Sequence, residues 1–326
     1  MAAGTKAISF IVALLAVLVA GAVVFAQTYP THTITLVVPF PAGGGNDATG
    51  RIMAERLSAA LGQNVIVENR GGAGGITGTR SVIKAPPDGY TLMLGHTGSI
   101  GINPTLYANA NFDPRKDFVP IGLIAKMPLV LVVHPSVPAK NVAELITLAK
   151  KEPGKINLGC SSKGTGSHML AEMFMHVADV PMNLVPYRGT AQALGDLIGG
   201  HVQATFNVIP PTLGSIRSGQ LRALAVTSPQ RTPLLPDVPT VAESGLPGFD
   251  VVLNYGLLAP AGTPKEIITR LNQAMRVSLA DEELKHRVAA DGGDVVASTP
   301  EEYAAIVDRD EALWAALIRK LNLKVE

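Results

Sequence analysis

The chain has 326 residues, 27 of them Lys or Arg and 26 Asp or Glu, for a net charge of +1. That balance argues against nucleic acid as a partner. The single cysteine, Cys160, excludes an intrachain disulfide, so stability must come from a packed core.

The first 26 residues have the form of an export leader. Lys6 supplies a positive start, Ala7 to Val24 form an apolar core, and Val24-Phe25-Ala26 is a small-residue cleavage site before Gln27. An uncleaved membrane anchor competes, because the apolar run is near the length that spans a bilayer. The cleavage site favours removal and export. About 300 residues then remain, more than one core usually serves, so two domains are expected.

Ile34 to Val38 is an apolar run read as a buried strand. It leads through Pro39 and Pro41 into Gly43, Gly44 and Gly45. Asn46 and Asp47 are candidate caps for a helix carrying Met53, Leu57, Ala60 and Leu61 and stopping at Gly62. Free N–H groups and the positive end of a dipole make such a helix start suit an anion. A ligand-free βα turn has the same pattern, because a lone glycine loop is a weak signal.

NVIVE at 64–68 reads as a second strand, and the glycine loop NRGGAGGITGTR at 69–80 opens a helix near Thr77. Tyr90 to Leu94 is a third strand, running into HTGSIGIN at 96–103. Three strands thus end in glycine and small polar residues, and such ends line one edge of a parallel sheet. Val119–Ala125 and Leu129–His134 are further apolar runs, and the Lys126-Met127-Pro128 break between them marks passage into a second domain.

The opening design then repeats. A helix around Val142–Ala149 and a strand at Ile156–Gly159 precede CSSKGTGSH, 160–168, and a helix carrying Met169, Leu170, Met173, Phe174 and Val177. A short strand near Leu184 leads to Pro186-Tyr187-Arg188-Gly189-Thr190 and a helix from Ala191 to Ile198. Strands follow at Val202–Val208 and Leu221–Val226. Residues 229–249 are a proline-rich connection with at most one short helix, and Val251–Ala259 is a strand returning to the first domain. Thr263-Pro264-Lys265-Glu266 and Thr299-Pro300-Glu301-Glu302 both carry a helix-start signature with a capping threonine. This order implies two α/β lobes crossed by two strands, which is a hinge with a cleft. The expected bounds are residues 27–127 plus 253–326 for one lobe and 128–252 for the other.

The motifs resemble those of the periplasmic substrate-binding receptors of tripartite tricarboxylate transporters, the Bug family. They are VVPFPAGGGNDATGR at 37–51, VENRGGAGGITG at 67–78, DGYTLMLG at 88–95, GSH at 166–168, PYRG at 186–189, SGQLRALAVTS at 218–228 and APAGTP at 259–264. The resemblance implies an α/β, two-lobed periplasmic binding protein fold of type II, a venus flytrap with two crossover strands as hinge. It implies capture of a small organic acid between two helix starts, usually without an arginine salt bridge, and delivery to transporter subunits in the membrane. No cofactor, no metal, no nucleic acid and a monomer are implied with it.

Carried over by position, the pocket takes Phe40, Ala42, Gly43, Gly44 and Asp47 from the first loop, and Thr97 and Ser99 after the third strand. Ser162, Gly164, Thr165, Gly166 and Ser167 come from the second lobe, with Thr190 and Asn207 closing the wall. Asn254 stands where relatives commonly have a tryptophan, and Asn207 where they often have aspartate. Both put ligand identity in question. Thr165→Val or Ser167→Ala is expected to weaken binding with little loss of fold.

Other readings compete. Asp47 repels a carboxylate unless it caps its helix or selects an amine-bearing ligand. A sensor docking on a receptor kinase would use the same cleft. Ser81-Val82-Ile83-Lys84 fits the S-x-x-K of penicillin-recognising serine hydrolases, with Lys163-Gly164-Thr165-Gly166 as a poor match to their K-T-G, but the S-D-N partner is missing. His168 and His176 are too far apart on one helix to share a metal. Cys160, Met169 and Met173 are expected in the core.

Overall fold

A computed structural model describes residues 29–43, 45–290 and 292–325. The export leader expected over residues 1–26 and the expected site residue Gly44 lie outside the described residues. Among the described residues, no helix is long and apolar enough to cross a membrane.

The described strands form two sheets built on one plan. The first contains β1 (Ile34–Val38), β2 (Val65–Asn69), β3 (Thr91–His96), β4 (Phe118–Met127), β10 (Leu253–Pro260) and β11 (Asp294–Val295), in the spatial order β11-β4-β10-β3-β1-β2. The second contains β5 (Leu129–Val133), β6 (Asn157–Cys160), β7 (Asn183–Pro186), β8 (Ala204–Val208) and β9 (Arg222–Val226), in the order β7-β6-β8-β5-β9. In the first, β1 runs parallel to β2 and β3, whereas β10 is antiparallel to β3 and β4. In the second, β6 runs parallel to β7 and β8, whereas β5 is antiparallel to β8 and β9. Each sheet therefore receives one antiparallel strand from the other half. The chain crosses at Pro128, between β4 and β5, and returns between β9 and β10.

Helices cover the sheets: α1 (Gly45–Leu61), α2 (Ile76–Ile83), α3 (Val142–Lys151), α4 (Gly166–Ala178), α5 (Thr190–Ile198), α6 (Ile209–Arg217), α7 (Lys265–Leu279), α8 (Glu282–Ala290) and α9 (Pro300–Lys320). The long C-terminal helix α9 packs on β4, and α7 packs on β4 and α1. A strand covered on both faces reads as continuous hydrophobe rather than an alternation, and every residue of β5 and β10 is buried. One cluster of buried side chains runs through both halves, from Leu36 and Leu92 to Leu131, Phe174 and Phe206.

The two Thr-Pro-x-Glu signatures behave differently. At α9, Thr299 and Glu302 form a reciprocal capping box. At α7, by contrast, Pro264 is the N-cap without a side-chain bond, and Thr263 Oγ1 instead donates to the Pro260 carbonyl at 2.8 Å. The β10 exit turn lies within reach of that hydroxyl and captures it. Two of these nine described helices, α6 and α8, have no counterpart in the sequence reading. The pair Pro210-Pro211 begins α6 rather than breaking the chain, because proline at the first turn forfeits no intrahelical donor. Helix α8 carries only two buried residues, Leu284 and Val288, too few for a legible periodicity. Residues 229–249 contain turns and one bridge, Val226 to Thr240, with no regular helix.

Candidate functional site

A cavity of about 430 Å³ opens between the two halves. The first half contributes the exits of three neighbouring strands: Pro39, Phe40 and Pro41 after β1, Gly72, Gly74 and Gly75 after β2, and His96 and Gly98 at the end of β3. Asn46 at the start of α1 and Tyr107 also face it. The second half contributes the whole loop Ser161–Ser167 between β6 and α4, and Arg188, Gly189 and Thr190 at the start of α5. Leu129, Val208, Leu253 and Tyr255, on the strands nearest the crossings, form the floor.

The two walls touch. The Tyr107 hydroxyl donates to the Lys163 carbonyl at 3.4 Å. A methyl group on Gly164 would lie 2.7 Å from Asn103 Oδ1 and 3.0 Å from Tyr107 Cε2, and this glycine has φ +79°, so close approach and backbone conformation both call for glycine. Asn103 is fully buried. Its Nδ2 donates to the Gly74 carbonyl at 2.5 Å, so one side chain braces the second glycine loop and faces the opposing wall.

Helix starts converge on this space. Thr165 is the N-cap of α4, its Oγ1 accepting from His168 N. Neither α5 nor α2 has a side-chain cap, so their first N–H groups are free of side-chain acceptors. Lys163 and Arg188 bring positive charge, and no Asp or Glu is among the described lining residues. Neither cation has an ion-pair partner among the described residues. Burial pulls the His96 imidazole down to about 4, and burial and then Lys163 pull His168 to about 4, so both rings are neutral at physiological pH. No group of three His, Cys, Asp or Glu side chains among the described residues is placed to hold a metal ion.

Of the residues expected from the sequence, Phe40, Ser162, Gly164, Thr165, Gly166, Ser167 and Thr190 line the cavity together. Ala42 and Gly43 are exposed beside it, outside the lining. Asp47 is buried behind it, where its carboxylate accepts from Gly43 N at 2.9 Å and pairs with Arg51 at 3.0 Å. The Gly43 hydrogen bond is the main cause holding that carboxyl below the usual range. Asp47 therefore tethers the loop preceding its helix and does not line the cavity.

Thr97, Ser99, Asn207 and Asn254 also stand behind the wall. Thr97 Oγ1 accepts from Asn254 N at 2.7 Å, and Asn254 Nδ2 donates to Asp310 at 2.6 Å. Ser99 Oγ donates to the His96 carbonyl at 3.0 Å. Asn207 Oδ1 accepts from Val208 N at 2.8 Å. The lining residues are their chain neighbours: His96 and Gly98, Val208, and Leu253 and Tyr255. On β8 and β10 successive residues point to opposite faces, so Asn207 and Asn254 are correct along the sequence but on the wrong face; Thr97 and Ser99 lie instead in the helical turn that follows β3. Cys160, Met169 and Met173 are buried as expected, and Ser81 Oγ is spent on the Gly78 carbonyl. His96, Tyr107 and Tyr255 were not among the expected lining residues. Only the glycine-rich surroundings of His96 could have flagged it.

Comparison with known proteins adds an independent finding. Residues 49–323 match the model of the tripartite tricarboxylate transporter family receptor. The chain is 36% identical over 304 residues to protein BugT of Bordetella pertussis, covering 93% of each chain. It is similar in structure to Rpa4515 of R. palustris with adipate, at 34% identity and TM-score 0.81, covering 91% of this chain and 99% of that one. MatC of Rhodopseudomonas palustris with bound malate has 32% identity and TM-score 0.79, over 89% of this chain and 100% of the other.

Proposed function

This chain belongs to the tripartite tricarboxylate transporter receptor family, whose members are periplasmic solute-binding receptors and not enzymes; from that premise we propose that it captures a small carboxylate between its two halves and delivers it to a membrane transporter. The observation that carries this reading is the cavity itself. It joins glycine, serine and threonine loops at helix starts from both halves, holds Lys163 and Arg188, and has no acidic side chain among its described lining residues. Two relatives of similar fold contain adipate and malate.

The energetics are sufficient. A helix start contributes about 0.3–1 kcal/mol to an anion, up to roughly 2 when partly buried. Hydrogen bonds to a charged group contribute about 1.5–3 kcal/mol each. A few such contacts reach the ~8 kcal/mol of micromolar binding after ordering costs.

In this reading residues 27–127 with 253–326 form one lobe and 128–252 the other, and the crossings at Pro128 and at 227–252 flex as the cleft closes. The pocket comprises Phe40, Ser162, Thr165, Gly166, Ser167 and Thr190, joined by Asn46, Lys163 and Arg188, with the layer of Thr97, Asn207 and Asn254 positioning them. Residues 1–26 direct export and are removed.

Thermal-shift and titration measurements with a panel of mono- and dicarboxylates test the binding. Saturating ligand at about a hundred times its Kd raises stability by about 2.7 kcal/mol. A panel in which no acid stabilises the protein would overturn the reading. Acid uptake by cells lacking the receptor, restored by this chain, tests delivery, and the mass of the exported protein tests leader removal.

A further inference from the structure

We propose that His96 is a specificity-determining residue, donating from Nε2–H an uncharged hydrogen bond to a second acceptor of the bound acid, on the wall opposite Lys163 and Arg188. This rests on the acid-receptor reading above and goes beyond it by assigning a role to a residue in the first half.

The tautomer follows from geometry. Gly98 N–H can only donate, and it meets His96 Nδ1 at 3.0 Å. Nδ1 therefore carries the lone pair, and a neutral ring has its proton on Nε2. The same hydrogen bond fixes the ring, as do the edge-on contacts to Phe40 at 5.5 Å and Tyr255 at 4.8 Å between centroids. Tyr255 is also its cross-strand partner in the β3–β10 ladder. These rings and His96 all line the cavity.

His96 is 6% exposed, and no described residue accepts from Nε2. An N–H at the cavity-facing edge of a nearly buried ring, with no hydrogen bond to a described residue, is open to an acceptor on whatever fills that cavity. The burial that keeps the imidazole uncharged also suits it to this task. A cation there would attract any anion, whereas a fixed neutral donor rewards only an acceptor at the right place. Two aromatic rings, Phe40 and Tyr255, meet it edge-on, and an acid with an alkyl or aryl group at this point leaves the donor unpaired. The receptor therefore prefers acids with an acceptor at each end over acids with one.

The test uses three diacid–monoacid pairs as titration probes: succinate and butyrate, adipate and hexanoate, phthalate and benzoate. Measurements are made on wild type, His96→Phe, which keeps a ring without the donor, and His96→Gln, whose Nε2 restores one. In the phenylalanine variant the bound diacid loses about tenfold in affinity, the size of one hydrogen bond to a charged group. The glutamine variant recovers most of that loss, and the paired monoacid changes less than twofold. In 15N-histidine spectra of wild type, the Nε2 resonance shifts on adding the diacid while the tautomer stays the same. Equal losses for diacid and monoacid, or no loss for either, overturn the assignment of His96 and leave the receptor reading standing. Failure of wild type to bind any of the six overturns the receptor reading, and the role of His96 falls with it.

Discussion

Tyr107 on the first half and Lys163 on the second are joined across the cleft by one hydrogen bond, phenol to carbonyl, at 3.4 Å. The contact holds the two cavity walls together without involving any charged atom. Burial raises the Tyr107 phenol above its ordinary value, so it remains a donor throughout the neutral range.

Tyr107→Phe is therefore expected to loosen closure while leaving the fold nearly unchanged. The bond is long, so its share is at the weak end, about 0.5 kcal/mol. Dissociation of a bound acid should quicken about twofold, with association and the melting temperature little altered. Stopped-flow kinetics reads the split, and an unchanged dissociation rate would remove the contact from the closing mechanism.

Ser167 has an internal role that its sequence position conceals. Its Oγ accepts from Ser161 N at 3.0 Å and lies 2.6 Å from Ser161 Oγ, which in turn lies 2.6 Å from Thr165 Oγ1. Ser167→Ala leaves the Ser161 amide without its acceptor, at a cost of about 1–3 kcal/mol. The expectation from sequence, weaker binding with little loss of fold, thus becomes a loss of both. Denaturant unfolding of the ligand-free variant decides between them.

At α9 the capping box is reciprocal: Thr299 N donates to Glu302 at 2.8 Å and Glu302 N to Thr299 Oγ1 at 3.2 Å. Thr299→Ala should cost about 1 kcal/mol. Glu302→Ala should add less on that background than alone, because the two bonds share one geometry. A double-mutant cycle in unfolding free energy measures the coupling, and strict additivity would argue against a working box.

Asp310 is a second buried carboxylate behind the site, with side-chain bonds from Asn254 and Thr97. Desolvation is the largest influence and raises its pKa in the folded state. Between its unfolded and folded pKa values the native state binds more protons, so this group's contribution to stability falls as pH rises through that window. Asp310→Asn should flatten that slope. Unfolding midpoints followed from about pH 4 upward report it, and identical slopes in wild type and variant would refute the assignment.

Much of this architecture is written in local sequence. Apolar runs of strand length located β1, β3, β5 and β8 within a few residues, and glycine or small polar residues after β1, β2, β3 and β6 marked the cavity edge. Such signals are legible because they depend on neighbours along the chain. Helix α6 was hidden because Pro210-Pro211 reads equally as a stop or a start, and tertiary context chose the start.

Sequence alone determined that this chain makes two α/β halves whose strand ends carry donor-rich loops, since periodicity, caps and glycines act locally. Only the tertiary structure decided which side of each strand end faces the cavity. A shift of one residue turns a side chain through the sheet, so Leu253 and Tyr255 meet the cavity while Asn254 meets Asp310. The tertiary structure also decided that His96 keeps a neutral N–H for the cavity. Gly98, two residues along the chain, sets the tautomer, but the burial that keeps the ring uncharged, with Phe40 and Tyr255 packed against it, comes only with folding.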